Sequence, residues 1–150
     1  MATMRLEIIT AERLLFDGQV DALVAPGTEG ELGILPHHAA LMTMLQEGEL
    51  RYRVGTREDY LTVSGGFMEV TGGHVIVLAD AAERVEEIDE ARALEAMRRT
   101  QERIASRAED IELEQELHAL RRAQLRVSAV RRHRRPPTIP SGPSSTSRPS

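Results

Sequence analysis

Five histidines, a Ser-Gly-Gly run and many carboxylates are the side chains here with the chemistry for catalysis or metal binding, and their spacing builds neither. His37, His38, His74, His118 and His133 are scattered. Adjacent His37 and His38 point to opposite sides of an extended chain, and no HExxH pattern places two imidazoles on one helical face. Ser64-Gly65-Gly66 lacks the GxSxG form of a nucleophile elbow, and no His and Asp are nominated to serve it. The absence of cysteine removes thiolate ligands, thiol nucleophiles and disulfides. All 19 basic residues are arginine. That excludes the phosphate-binding lysine of a P-loop and any Schiff-base chemistry, and gives every cationic contact guanidinium geometry. The sequence reads as non-catalytic, with no metal site and no required cofactor.

Charge is distributed unevenly. Residues 1–87 carry 15 acidic and 6 basic residues, a net −9; residues 88–118 carry 9 and 5, a net −4; residues 119–150 carry no acid and 8 arginines. The C-terminal part should therefore seek an anionic partner, whether acidic protein, nucleotide or nucleic acid. A stand-alone adaptor holding nucleic acid through Arg131, Arg132, Arg134 and Arg135 is one reading. Against it stand the acidic N-terminal part and an aromatic content of 3 %, too low for base stacking.

The elements that must carry these residues fall into two kinds. Up to about Asp80 the chain reads as short strands: 5–9, 19–25, 49–54, 60–63, 67–70 and 74–78. Turn signals stand between them at Asp17-Gly18, Pro26-Gly27, Gly48, Gly55, Gly65-Gly66 and Gly72-Gly73. Many short strands without intervening helices predict an antiparallel sandwich or barrel. At about Ile88 the period changes. Ile88, Ala91, Leu94 and Met97, with Ile104 later, predict a first helix, and Asp89 is placed to cap it. Ile111, Leu113, Leu117, Leu120 and Leu125 predict a second from near Asp110. The short polar break 106–110 brings the two back antiparallel. The apolar stripes are thin and alanine-rich, so the hairpin has little core of its own. The expected division is a β-domain over 1–86, a helical hairpin over 87–130, and a disordered basic Pro/Ser-rich tail over 131–150. No run approaches the roughly 20 apolar residues of a membrane span. Neither a signal nor a transit peptide is visible, so a cytoplasmic location is expected.

Three segments together resemble the epsilon subunit of bacterial-type F-type ATP synthases. Residues 30–41, GELGILPHHAAL, are similar to that family's GELGILPxHAPL loop, with His37 in place of the usual glycine and Ala40 in place of proline. Residues 64–70, SGGFMEV, resemble its SGGFLEV strand. Ala81-Ala82-Glu83-Arg84 followed by Ile88-Asp89-Glu90-Ala91-Arg92-Ala93 resembles its interdomain junction and its I/L-D-x-x-R-A motif. The likeness covers roughly residues 4–130 in order; the tail departs from it.

The resemblance implies an N-terminal sandwich of about ten antiparallel strands and a C-terminal antiparallel two-helix hairpin. It implies a central-stalk rotor subunit that helps couple the catalytic head to the membrane c ring during proton-driven ATP synthesis, peripheral to the cytoplasmic face of the bacterial cell membrane. The implied partners are the gamma subunit, the c ring and, with the helices extended, the catalytic beta subunits, but no nucleic acid. Glu31 and His38 correspond to the surface facing the c ring. In ATP-binding relatives the contact set corresponds to Glu83, Ile88, Asp89, Arg92, Ala93, Arg99, Arg122 and Arg126, with ATP as a regulatory ligand that favours the folded hairpin and so relieves inhibition of hydrolysis. Spacing is compatible: Arg92 and Arg99 share a helical face, as do Arg122 and Arg126. With a turn centred near residue 108, Arg92 would lie level with residue 124, between Arg122 and Arg126. The gathered guanidiniums would need a triphosphate, or carboxylates such as Glu95, to neutralise them. Asp89 serves equally as a helix cap paired with Arg92. An inert assembly spacer with permanently docked helices remains the competing role.

Overall fold

The computed structural model describes residues 2–106 and 113–133. Among them are eight strands: β1 (Met4–Ile9), β2 (Leu14–Val20), β3 (Ala22–Gly27), β4 (Gly30–Ile34), β5 (Leu41–Val54), β6 (Arg57–Thr71), β7 (His74–Ala79) and β8 (Ala82–Arg84). A 3-10 turn, Val85–Glu87, leads into α1 (Glu90–Ser106), and α2 (Leu113–His133) follows.

The sandwich is one hydrogen-bonded ladder folded over. β5 and β6 are 14 and 15 residues long, more than twice an ordinary strand, and each passes from one layer into the other. Their antiparallel pairing runs from Leu41↔Val70 to Val54↔Arg57 and lacks a rung between Gln46 and Gly65. One layer runs β2-β1-β7-β6-β5 and the other β8-β6-β5-β3-β4. Counting the halves of β5 and β6 separately gives the ten strands expected; the chain makes eight because it bends there instead of turning. All pairs are antiparallel except β1 with β7, which are parallel.

Glycine does the bending. Gly65 and Gly66 have φ of 107° and 132°. A Cβ on Gly66 would strike the Leu78 carbonyl and lie 2.8 Å from the Ala79 Cα. The Gly65-Gly66 signal, read as a turn, is a bend inside β6. Gly18, Gly27 and Gly48 likewise sit within strands, whereas Gly55 and Gly72-Gly73 form turns. The single strand expected over 19–25 is broken at Asp21. Its carboxylate accepts the Gly55 N–H at 2.6 Å and its own N–H donates to the Arg53 carbonyl at 2.8 Å, pinning a corner.

Alternation along the strands sends Leu6, Ile8, Val20, Leu50, Leu61, Val75 and Val77 inward, all fully buried. Each such side chain stabilises the fold by roughly 1.5–3 kcal/mol relative to exposure. Phe16 meets Tyr52 across the layers at a ring separation of 4.3 Å. Arg84 ties the layers further, donating to the Tyr52 hydroxyl at 3.0 Å and the Leu15 carbonyl at 2.7 Å. Burial raises the Tyr52 phenol pKa above its usual value, against the opposing hydrogen bond from Arg84.

Asp89 caps α1, its carboxylate accepting the Arg92 N–H at 3.1 Å and its carbonyl the Ala93 N–H at 2.9 Å. The helices are antiparallel, held by Arg103–Glu116 at 3.4 Å near the turn and Arg131–Glu90 at 3.1 Å at the base. Those pairs centre the hairpin near residue 110 rather than 108. Arg92 is consequently level with about residue 128, not 124. The seam also differs from the expected stripe: Ala93 and Thr100 are buried on α1, while Ala91 is exposed. A strict three-residue period cannot stay on one face, because it falls about 60° short of a full revolution at each step. On α2 the buried residues are Ala123, Val127, Ala129 and Val130, with Leu113, Leu117, Leu120 and Leu125 half-buried. α2 continues to His133, past the boundary expected at 130. The start of the second helix near Asp110, Ile111 with it, and the tail beyond residue 133 lie outside the described residues.

Candidate functional site

Between the hairpin and the sandwich lies a cavity of about 410 Å3, at the small end of ligand-pocket volumes. β8 contributes Glu83, β6 contributes Thr62 and Ser64, α1 contributes Thr100 and Arg103, and α2 contributes Arg122 and Arg126. The i, i+4 spacing on α2 aims both of its arginines at one side. Arg126 Nε donates to Glu83 Oε2 at 2.7 Å, in a half-buried pair. Arg103 reaches Glu116 at 3.4 Å and donates to the Thr100 hydroxyl at 3.4 Å. Arg122 has no ion pair among the described residues, so the cavity holds one guanidinium more than its salt bridges neutralise. Such a lining suits an anion.

Of the eight residues singled out for ATP, the fold brings Glu83, Arg122 and Arg126 into this cavity. Ile88 and Asp89 line a separate shallow depression, with Ile88 buried in the connector and Asp89 engaged as the cap. Ala93 is fully buried in the helix seam. Arg92 and Arg99 do not line the cavity. Arg92 is 88 % exposed beside Asp89 and Arg99 is 61 % exposed beside Glu95, the carboxylate already paired with Arg98. The hydrogen bond from Arg98 holds Glu95 below the usual carboxylate range. Arg103 and Thr100 escaped the sequence reading because the true register depends on ion pairs distant in sequence.

Two features lie on the sandwich. Glu31 stands exposed on β4, and His38 is exposed in the loop after it, its Nδ1 2.7 Å from the Ala39 carbonyl. The other was not foreseen. Strand pairing sets Leu14, Ile9, Leu78, Phe67 and Met44 side by side across β2, β1, β7, β6 and β5. They form an outward apolar row in which Leu14, Leu78 and Met44 are 56 %, 48 % and 59 % exposed, flanked by Met42 at 64 %. The signal was present in 75–79, where an unbroken apolar run replaces alternation, as in strands covered on both faces. Among the described residues no His, Asp and Glu cluster could hold a metal, and no helix is long and apolar enough to cross a membrane.

Residues 3–85 match the family described as ATP synthase, Delta/Epsilon chain, beta-sandwich domain, and residues 86–131 match its long alpha-helix domain. The chain belongs to the ATP synthase epsilon-chain family. This epsilon-type chain is 59 % identical over 105 residues to the ATP synthase epsilon chain of Dehalococcoides mccartyi, covering 70 % of this chain and 75 % of that relative. To that of Carboxydothermus hydrogenoformans it is 53 % identical over 102 residues, with coverages of 68 % and 76 %. Its fold is similar, with a TM-score of 0.75 and 26 % identity, to a chain in the Euglena gracilis mitochondrial ATP synthase OSCP/F1/c-ring assembly, covering 87 % of this chain and 82 % of that one. One departure from the epsilon loop pattern has a visible consequence: His37, where glycine is usual, adopts φ of 69°, a conformation that side chains resist.

Proposed function

We propose that this epsilon-type subunit of the ATP synthase central stalk is a regulatory rotor piece whose sandwich attaches and whose hairpin controls. The observation that carries attachment is the apolar row across five strands. An exposed apolar strip of this breadth calls for a lasting partner, and the gamma subunit is the partner in the rotor that runs alongside. The polar tip bearing Glu31 and His38 suits the polar loops of the c ring. The chain contributes no catalysis; it helps couple the c ring to the catalytic head during proton-driven synthesis, peripheral to the cytoplasmic face of the bacterial membrane.

The hairpin regulates hydrolysis. ATP enters the cavity beneath it, its phosphates meeting Arg122, Arg126 and Arg103, and favours the folded state. Without ATP the helices extend and the arginines of α2 meet the catalytic beta subunits, stalling rotation in the hydrolysis direction. The coupling requires only that ATP bind one hairpin state better than the other. The test titrates ATP into the full-length subunit while NMR follows the arginine side chains. Arg122 and Arg126 should shift in the wild type, and Arg122→Ala should weaken binding by about tenfold, the loss of one charge-assisted contact. No shift at millimolar ATP would remove the ATP reading and leave attachment standing. In the assembled enzyme, deletion of residues 88–150 should raise hydrolysis; an unchanged rate would make the chain an inert spacer.

A further inference from the structure

The hairpin is not attached to the sandwich evenly. Its firm contacts gather in the last two turns of α2, where Val127, Ala129 and Val130 are at most 5 % exposed and pack with Val85 and Ile88 of the connector. Tyr60 of β6 packs on the same cluster. Beyond it the helix ends in two side chains held by one carboxylate on β5. Arg132 Nη1 lies 2.9 Å from Glu49 Oε1, and His133 Nε2 lies 2.7 Å from Glu49 Oε2. The imidazole of His133 also lies flat on the Tyr60 ring, with centroids 3.7 Å apart and planes inclined by 9°. Tyr60 is itself steadied by its hydroxyl, which donates to Glu58 at 2.7 Å. Both the His133 and Glu49 side chains are mostly buried, at 13 % and 18 % exposure, so this contact is shielded as the pairs along α1 are not.

We infer that the last turn of α2 is a clasp, in which Glu49 and Tyr60 grip His133 and Arg132 and so set how often the hairpin leaves the sandwich. Opening the hairpin by this route breaks two charge-bearing hydrogen bonds and an aromatic stack together. The clasp holds the end of the helix, whereas the anion cavity lies toward the turn, so the two act on the same folded state from different places. The ladder pairs Glu49↔Thr62 and Arg51↔Tyr60 put the gripping side chains on neighbouring strands of the sandwich, β5 and β6, rather than on the hairpin. His133 lies just beyond residue 131, where the match to the family's helical domain ends. It rests on the reading of the hairpin as the moving part.

The test is amide hydrogen exchange on the full chain. In His133→Ala, exchange across residues 113–133 should quicken by about tenfold while the amides of β1 and β7 keep their wild-type rates. His133→Phe, which keeps the stack but loses the bond to Glu49, should fall between the two. Glu49→Gln should quicken α2 as well, and with His133→Ala the combined effect should fall short of the product of the two, because the Glu49–His133 bond is lost only once while the Arg132 pair and the Tyr60 stack are lost separately. Unchanged exchange in α2, or equal acceleration throughout the sandwich, would overturn the clasp. Hydrolysis by the assembled enzyme separates this from the regulatory reading. Quickened exchange with stronger inhibition supports both. Quickened exchange with an unaltered rate keeps the clasp and overturns regulation. Slow α2 exchange in His133→Ala, together with hydrolysis that separately rises on deletion of 88–150, keeps regulation and overturns the clasp.

Discussion

Sandwich and hairpin are made from the same aliphatic palette, yet they close their cores differently. Among the described residues eighteen buried side chains form the sandwich core, drawn from both layers. The cluster under the hairpin has six, and two of them, Val85 and Ile88, belong to the connector. In the seam Ala93, Thr100 and Ala123 bury little area each, which at about 25 cal/mol per Å2 of apolar surface gives the helices a small share of the total. The sandwich therefore specifies itself, and the hairpin is stable where the sandwich receives it. A part with a borrowed core can be released without unfolding the rest.

The strongest attempt to break that contrast is a cavity in the larger core. Leu61→Ala should destabilise the chain by about 2–5 kcal/mol in urea unfolding. Helical signal should disappear at or before the denaturant concentration at which the β7 amides lose protection; a hairpin that outlasts the sandwich would refute the dependence. Next comes the bend that joins the layers. Gly66→Ala forces a Cβ into Leu78 and Ala79 at a φ of 132° and should cost about 1–3 kcal/mol, read as a lower urea midpoint. A smaller change should stay inside the hairpin. Asp89→Ala removes the cap of α1 and should cost about 1 kcal/mol, quickening amide exchange at the start of that helix and leaving β1 unaffected.

The smallest effect is electrostatic and treats both parts alike. The hydrogen bond from Arg5 holds Asp17 below the usual carboxylate range, as Arg98 does for Glu95. A carboxyl lowered in the folded state adds stability above its unfolded pKa, and that share is lost as pH falls through the folded value. Stability should thus decline below about pH 4. In acid titration Asp17→Asn should flatten the sandwich's response and Glu95→Gln the hairpin's. Both pairs are exposed, so salt should reduce the effect.

Local rules made much of this legible. Short apolar runs between turn signals located the strands 5–9, 49–54, 60–63, 67–70 and 74–78, and an acid before a helical pattern located the cap at Asp89. The candidate site was less legible. Glu83, Arg122 and Arg126 converge because β8 and α2 are brought together, and Arg103 joins them through a register that Glu116 and Glu90 fix from the opposite helix. Spacing along one helix states which arginines share a face, but not which way that face turns.

The sequence by itself determined a β-domain followed by a helical hairpin, the place of the change between them and the family. These follow from periodicity, composition and motifs, which act over a few residues. The tertiary structure alone decided that Gly65-Gly66 bends a strand instead of ending it, since both uses need the same positive φ. It also decided that five side chains far apart in sequence form one apolar row, that Arg92 and Arg99 face solvent, and that His133 closes on Glu49 and Tyr60. Each of these depends on pairing between distant segments, and no short-range pattern encodes it.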